Sequence, residues 1–272
     1  MSLAHYGLQG RLRGALGMSA AKLLLLPALV LAVGHGLLAI DGAALAAIVL
    51  ATAFEWVRAA SGARVDATLA AFTTIGLLLF WRGFVRDHLS LRTTALAYAC
   101  FAAAALTKGP VGFLLPGLVL GAALLYQGRL RSLPRYRPML GALLVVGLVG
   151  AWYFAAWQIG GDAFFRKQVL KENVFRFLGA TQMRSGHSHP FWYYVPTLAA
   201  GFLPWTPFLL GALVAALRSQ DARRDPRTAF LLVWFLVVFV FYSAASGKRS
   251  VYLLSLYPPG ALLVGWWIEA LV

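Results

Sequence analysis

The chain has 272 residues, of which 61% are hydrophobic and only 12% charged, and its formal net charge is +15. A soluble domain carries about half apolar and about a quarter charged residues, so this chain could not cover its own surface with polar groups, and lipid must solvate it. Its one cysteine, Cys100, excludes an internal disulfide framework, and its basic residues fall between apolar runs, which points to anionic lipids and lipid-linked phosphates rather than nucleic acid.

A bilayer core of about 30 Å takes about twenty helical residues, and every backbone polar group inside it must pair internally. The apolar runs therefore predict helical spans at Leu23–Ile40, Ala43–Val57, Ala67–Trp81, Thr94–Leu106, Val111–Tyr126, Met139–Trp157, Tyr194–Leu217, Thr228–Ala244 and Val251–Ile268. The expected fold is an all-α integral membrane protein, a polytopic bundle of about nine spans. One transmembrane domain covers 1–272, with no soluble module. The first run lacks a small-residue cleavage site and reads as a retained span. The fourth and fifth runs meet at Thr107–Pro110 as a tight hairpin. No internal repeat is evident.

Alternate gaps are rich in arginine. One holds Arg82, Arg86 and Arg92; the next Arg129, Arg131, Arg135 and Arg137; the third Arg218, Arg223, Arg224 and Arg227. These 11 are assigned to the inner side, against 10 basic residues in the other gaps. Outer cations should be scarce, so a cluster that persists there fits either anion binding or ordinary loop charge. The longest polar stretch lies in the outer loop 159–193, which reads as short helices lying in the interface.

Ionisable groups at membrane depth are costly and are functional candidates. Asp66 opens a span, either as a carboxylate favoured by the helix dipole or as an acceptor that orients a hydroxyl, amine or cation. Glu55 and Arg58 read as an interfacial pair. Lys108 sits between two apolar spans with nothing local to pair with. It must snorkel, or meet a phosphate, or meet a carboxylate from another loop. Lys248 and Arg249 lie in a short turn of small and hydroxyl residues. A planar guanidinium fork beside an ammonium suits phosphate oxygens. Glu172 and Arg176 have helical i,i+4 spacing, which also fits a surface pair. His187 and His189 are weak metal candidates, so a divalent metal stays open.

Six motifs occur in order: Arg64-Val65-Asp66; Leu106-Thr107-Lys108-Gly109 with Pro116; Glu172-Asn173-Val174-Phe175-Arg176-Phe177; His189-Pro190-Phe191-Trp192-Tyr193-Tyr194; Leu203-Pro204-Trp205-Thr206; and Ser246-Gly247-Lys248-Arg249-Ser250-Val251-Tyr252-Leu253-Leu254 with Tyr257-Pro258-Pro259. Together they resemble the bacterial lipid A aminoarabinose transferases and their protein-mannosyltransferase-like relatives, from about Asp41 onward.

The resemblance implies a C-type glycosyltransferase fold in the bacterial inner membrane, with its active face periplasmic. It implies transfer of a sugar from a polyprenyl-phosphate donor to a lipid A-like or other lipid or glycolipid acceptor. It makes Lys108, Lys248 and Arg249 the candidates for the carrier phosphate and Asp66 the carboxylate near the catalytic centre. It sets Glu172, Arg176 and His189 in the periplasmic loop that roofs the cavity, with Tyr193 and Tyr252 beside it. Relatives also carry an earlier helix, an acidic first outer loop and a Lys-Pro-Pro-like donor motif. None of these is found here, and relatives continue well past the counterpart of Tyr257-Pro258-Pro259, so the resemblance implies a chain truncated at both ends. The competing expectations are a transporter or flippase of lipid-linked anions, and an inactive truncated homologue.

Overall fold

The computed structural model describes residues 27–28, 30–32, 42–62, 64–85, 89–164, 189–245 and 247–271. Most of the predicted first span lies outside them, as does most of the loop 159–193, with Glu172, Arg176 and His187.

The described chain is helical, without a sheet. Its helices are α1 (Ala43–Thr52), α2 (Phe54–Ser61), α3 (Val65–Val85), α4 (Leu91–Lys108), α5 (Val111–Tyr126), α6 (Pro138–Phe164), α7 (Tyr194–Gly201), α8 (Thr206–Arg218), α9 (Gln220–Arg224), α10 (Pro226–Ala244) and α11 (Tyr257–Glu269). A 3-10 turn, Ser250–Leu256, leads into α11. Local chemistry sets several ends. Ser90 accepts the Thr93 N–H at 3.1 Å and starts α4. Asp225 accepts the Thr228 N–H at 3.1 Å, and Pro226 follows as a residue with no N–H to lose.

Among the described residues, four helices are long and apolar enough to cross a membrane, and six if each bent pair counts as one span. Two runs predicted as single spans are broken. Ala43–Val57 becomes α1 and α2, bent by 60°, and Tyr194–Leu217 becomes α7 and α8, bent by 119°. The second break follows from Pro204, which donates no backbone hydrogen bond. The first falls at Ala53, whose backbone is extended. The two breaks dock on each other. Phe54 N–H donates to Leu203 O at 3.0 Å, and Trp205 Nε1 donates to Thr52 Oγ1 at 2.8 Å. The backbone N–H of Phe54, at the first break, thus finds its partner inside the protein.

Lipid is as apolar as leucine, so helices in it associate by close packing rather than by escape from water. The α4–α5 hairpin shows this. Ala97, Ala102, Ala104 and Ala105 are buried along α4. Gly109 turns the chain at φ +79°. A side chain at Gly112 would strike the Ala104 backbone. Below the hairpin, Phe80 meets Tyr98, Phe101 and Tyr136 edge-on, with ring centres 5.1–5.5 Å apart. Helix α11 is the most enclosed, with Leu262, Leu263 and Val264 fully buried. Helix α6 is the most peripheral, and its Met139, Leu143 and Val146 face outward.

Candidate functional site

Helix α3 starts next to Asp66, and α4 packs antiparallel to it and ends at Lys108. That topology alone brings the two charges to one end of the bundle. They form an ion pair, with Lys108 Nζ donating to Asp66 Oδ1. Asp66 is only 8% exposed. Of the partners left open for Lys108 by the sequence, the structure supplies a carboxylate from another element. Asp66 also keeps its place in the first turn of α3, where the helix dipole favours it.

The 3-10 turn Ser250–Leu256 packs on α3 at the same end. It sets the Tyr252 ring 3.7 Å from Lys108 Nζ. A cation over an aromatic face is attracted by the ring quadrupole, by about 0.5–2 kcal/mol. Tyr252 is therefore a direct neighbour of the ion pair.

Lys248 and Arg249 precede that turn. Lys248 is buried, 4% exposed, and its Nζ donates to Ala245 O at 2.6 Å. The Arg249 backbone is fixed by the buried Tyr194. The Tyr194 hydroxyl accepts the Arg249 N–H at 3.1 Å and donates to the Arg249 carbonyl at 3.2 Å. The Arg249 side chain is exposed. Both cations thus belong to the end that carries Lys108. Lys248 is turned inward onto its own loop, and Arg249 outward.

A second ion pair stands beside the first. Arg58 donates to both carboxylate oxygens of Glu55, at 2.7 and 2.5 Å, and to Ser250 Oγ at 3.0 Å. Glu55 is 4% exposed. The sequence reading as an interfacial pair found the partners and missed their work, which is to clamp the start of the Tyr252 turn. Tyr194 and Ser250 were missed as well. The signals were an acid, Glu55, inside an apolar run, and the places of Tyr194 and Ser250 in two of the six motifs.

His189 stacks on Tyr193 with centroids 4.1 Å apart, and Tyr193 meets Tyr194 edge-on at 5.2 Å. Among the described residues, Tyr194 links this stack to Arg249. Among the described residues, no group of three His, Cys, Asp or Glu could hold a metal ion.

No protein-family model matches the chain. The undecaprenyl phosphate-α-4-amino-4-deoxy-L-arabinose arabinosyl transferase 2 of Pseudomonas fluorescens is 31% identical over 225 residues, which cover 81% of this chain and 37% of that protein. The corresponding transferase of Pseudomonas paraeruginosa is 33% identical over 228 residues, or 81% of this chain and 39% of that protein. Among solved structures, ArnT from Cupriavidus metallidurans bound to undecaprenyl phosphate has the same fold, with a TM-score of 0.79 at 23% identity over 95% of this chain and 46% of that one. Its apo state gives 0.75 at 24% identity. The described helices, with their apolar spans, are those of a multi-pass membrane protein. By sequence the chain belongs to the family of the undecaprenyl phosphate-aminoarabinose arabinosyl transferases, and it spans little more than a third of the curated relatives it matches, 37% of the first.

Proposed function

We propose that this chain carries the carrier-phosphate side of a membrane glycosyltransferase centre, which moves a sugar from a polyprenyl-phosphate donor to a lipid A-like or other lipid acceptor. The observation that carries the reading is the convergence of Lys108, Lys248 and Arg249 at one end of an apolar bundle, around a carboxylate and Tyr252.

The chemistry suits these groups. The bond from the anomeric carbon to the phosphate oxygen breaks, and its electron pair stays on the phosphate. The acceptor oxygen forms the new bond and gives up its proton to a base or to water. Charge gathers on the leaving phosphate, so cations held in a dry site stabilise the transition state more than the ground state. Lys108 and Arg249 are the groups for the phosphate oxygens, and Lys248 stiffens the turn from which it can also reach them. Asp66 serves the reacting centre through Lys108, whose ammonium it aims. Tyr252 shields that ammonium from one side. His189 and Tyr193 support Tyr194 and the roof of the site, to which Glu172 and Arg176 belong in this reading. The three arginine-rich gaps support setting their own end in the cytoplasm and the Asp66–Lys108 end at the periplasmic face of an inner membrane.

The names of the relatives support the donor class, undecaprenyl phosphate carrying an amino sugar. The test is binding of undecaprenyl phosphate to the purified chain in detergent, compared with Lys108→Ala and Arg249→Ala. Affinity should fall about tenfold in each variant. Unchanged affinity in both removes the phosphate assignment. A transporter of lipid-linked anions is the second reading, favoured by the two bent helix pairs. Vesicles holding the chain and a labelled donor distinguish the two: transfer to an acceptor supports the enzyme, and movement of intact donor across the bilayer supports the transporter.

A further inference from the structure

We infer that the opposite end of the bundle holds a second anion site, which takes the phosphate head of an anionic phospholipid. Helix α5 runs 16 residues from Val111, just past Lys108, to Tyr126. At about 1.5 Å per residue its far end lies about 24 Å from the ion pair. There an open cavity of about 610 Å³ is lined by Arg129, Arg223 and Arg224, with Gln127, Gln220 and Tyr126.

The walls are held in place. Gln127 Nε2 donates to Pro226 O at 3.2 Å and ties the end of α5 to the start of α10. Arg129 Nη1 donates to Phe84 O at 2.9 Å, which anchors it to the end of α3. Ser219 accepts the Ala222 N–H at 3.1 Å and sets the turn that presents Arg223 and Arg224.

The lining contains no carboxylate. Asp225, next to Arg224, is engaged elsewhere: it accepts the N–H and hydroxyl of Thr228 at 3.1 and 2.9 Å. Among the described residues, Arg223 and Arg224 form no ion pair. Arg223 and Arg224, with the remaining donors of Arg129, face an open hollow that has no carboxylate in its lining. A phosphate is the acceptor that matches a planar guanidinium fork.

The rim argues for a lipid rather than a free anion. Leu210, Val214 and Leu217 lie on one stripe of α8, three and four residues apart, and all are exposed. Leu118 and Leu125 are exposed on α5 seven residues apart, so they too share a stripe. Helix α5 ends at Tyr126, which lines the cavity, and α8 ends at Arg218, two residues before the lining residue Gln220. A phospholipid can seat its head among the arginines and lay its acyl chains along the leucines. Each arginine near an anionic head contributes favourably, and two or three together make a selective site.

The test is titration of the detergent-solubilised chain with phosphatidylglycerol, phosphatidylcholine or inorganic phosphate, read by native mass spectrometry. The parent should bind phosphatidylglycerol about tenfold more tightly than phosphatidylcholine. That preference should vanish in Arg223→Gln/Arg224→Gln and persist in Arg64→Gln, which removes an exposed arginine at the other end. Three results would overturn the inference. One is phosphatidylglycerol binding unchanged in the double variant. Another is its loss in Arg64→Gln alone. The third is millimolar inorganic phosphate displacing the lipid as well as competing lipid does, which would mark a free-anion site.

Discussion

The two ends of this bundle handle positive charge in opposite ways. At the Asp66–Lys108 end, three cations are answered by the fold's own groups, Lys108 by Asp66 and Tyr252, Arg58 by Glu55 and Lys248 by a backbone carbonyl, while Arg249 turns outward. At the arginine-rich end, Arg223 and Arg224 stand exposed around an open cavity. The first arrangement fixes geometry and makes the fold depend on every partner. The second leaves charge for something outside the chain. The same residue type should therefore be costly to remove at one end and cheap at the other.

The largest effect is expected at Lys108. Lys108→Met leaves the buried Asp66 carboxylate without its cation, and breaking a buried pair costs about 3–5 kcal/mol. Thermal unfolding in detergent should show a large fall in midpoint. Adding Asp66→Asn should recover part of it, because the orphaned charge is gone. A double variant as unstable as the single would show that the pair does not couple. Next comes Arg58→Gln, which strands Glu55 and releases Ser250. Arg58 is partly exposed, so about 2–3 kcal/mol is expected. This variant should also speed backbone hydrogen exchange across Ser250–Leu256.

How much of this was legible depends on whether the signal was local. The Thr107–Pro110 hairpin was, because Gly109 and Pro110 break the run and Gly112 has no side chain to obstruct packing. The need of Lys108 for a partner was legible, since a lone cation between apolar spans cannot stay unanswered. Its identity was left open, because only the antiparallel α3–α4 pairing chooses Asp66. The break at Ala53 had no sign at all. No glycine or proline marks it, and the Phe54 N–H at the break is satisfied by Leu203 O, far along the chain. Glu55 looked interfacial because its burial comes from elements that pack over it. The predicted roles of Glu172, Arg176 and His187 fall on residues outside the described ones.

Gly112→Val tests the packing that sets the paired end. Its Cβ would come within 2.2 Å of the Ala104 backbone. The hairpin must open, at about 1–3 kcal/mol. Opening it moves Lys108 relative to Asp66, so carrier binding should weaken although no charge was changed. Full stability with full binding would mean that the helices approach less closely than this. Tyr252→Leu keeps the bulk and removes the ring quadrupole beside Lys108. About 1 kcal/mol of stability should go, and Tyr252→Phe should restore it.

The smallest effect is the one that most sharpens the contrast. Arg224→Gln removes an exposed guanidinium as Arg58→Gln does, yet among the described residues Arg224 has no buried carboxylate to strand, where Arg58 has Glu55. Stability should stay within about 0.5 kcal/mol of the parent, as for other surface substitutions. The two arginine variants, unfolded side by side in the same detergent, should thus differ by about 2 kcal/mol. If Arg224→Gln costs as much as Arg58→Gln, the arginine-rich end is holding the fold together, and its cations are not kept for an outside partner. If both are cheap, the Glu55 fork contributes nothing to the turn, and the paired end loses its distinction. Only the unequal result keeps the division between arginines that the fold holds by its own carboxylates and arginines that it leaves for an outside partner.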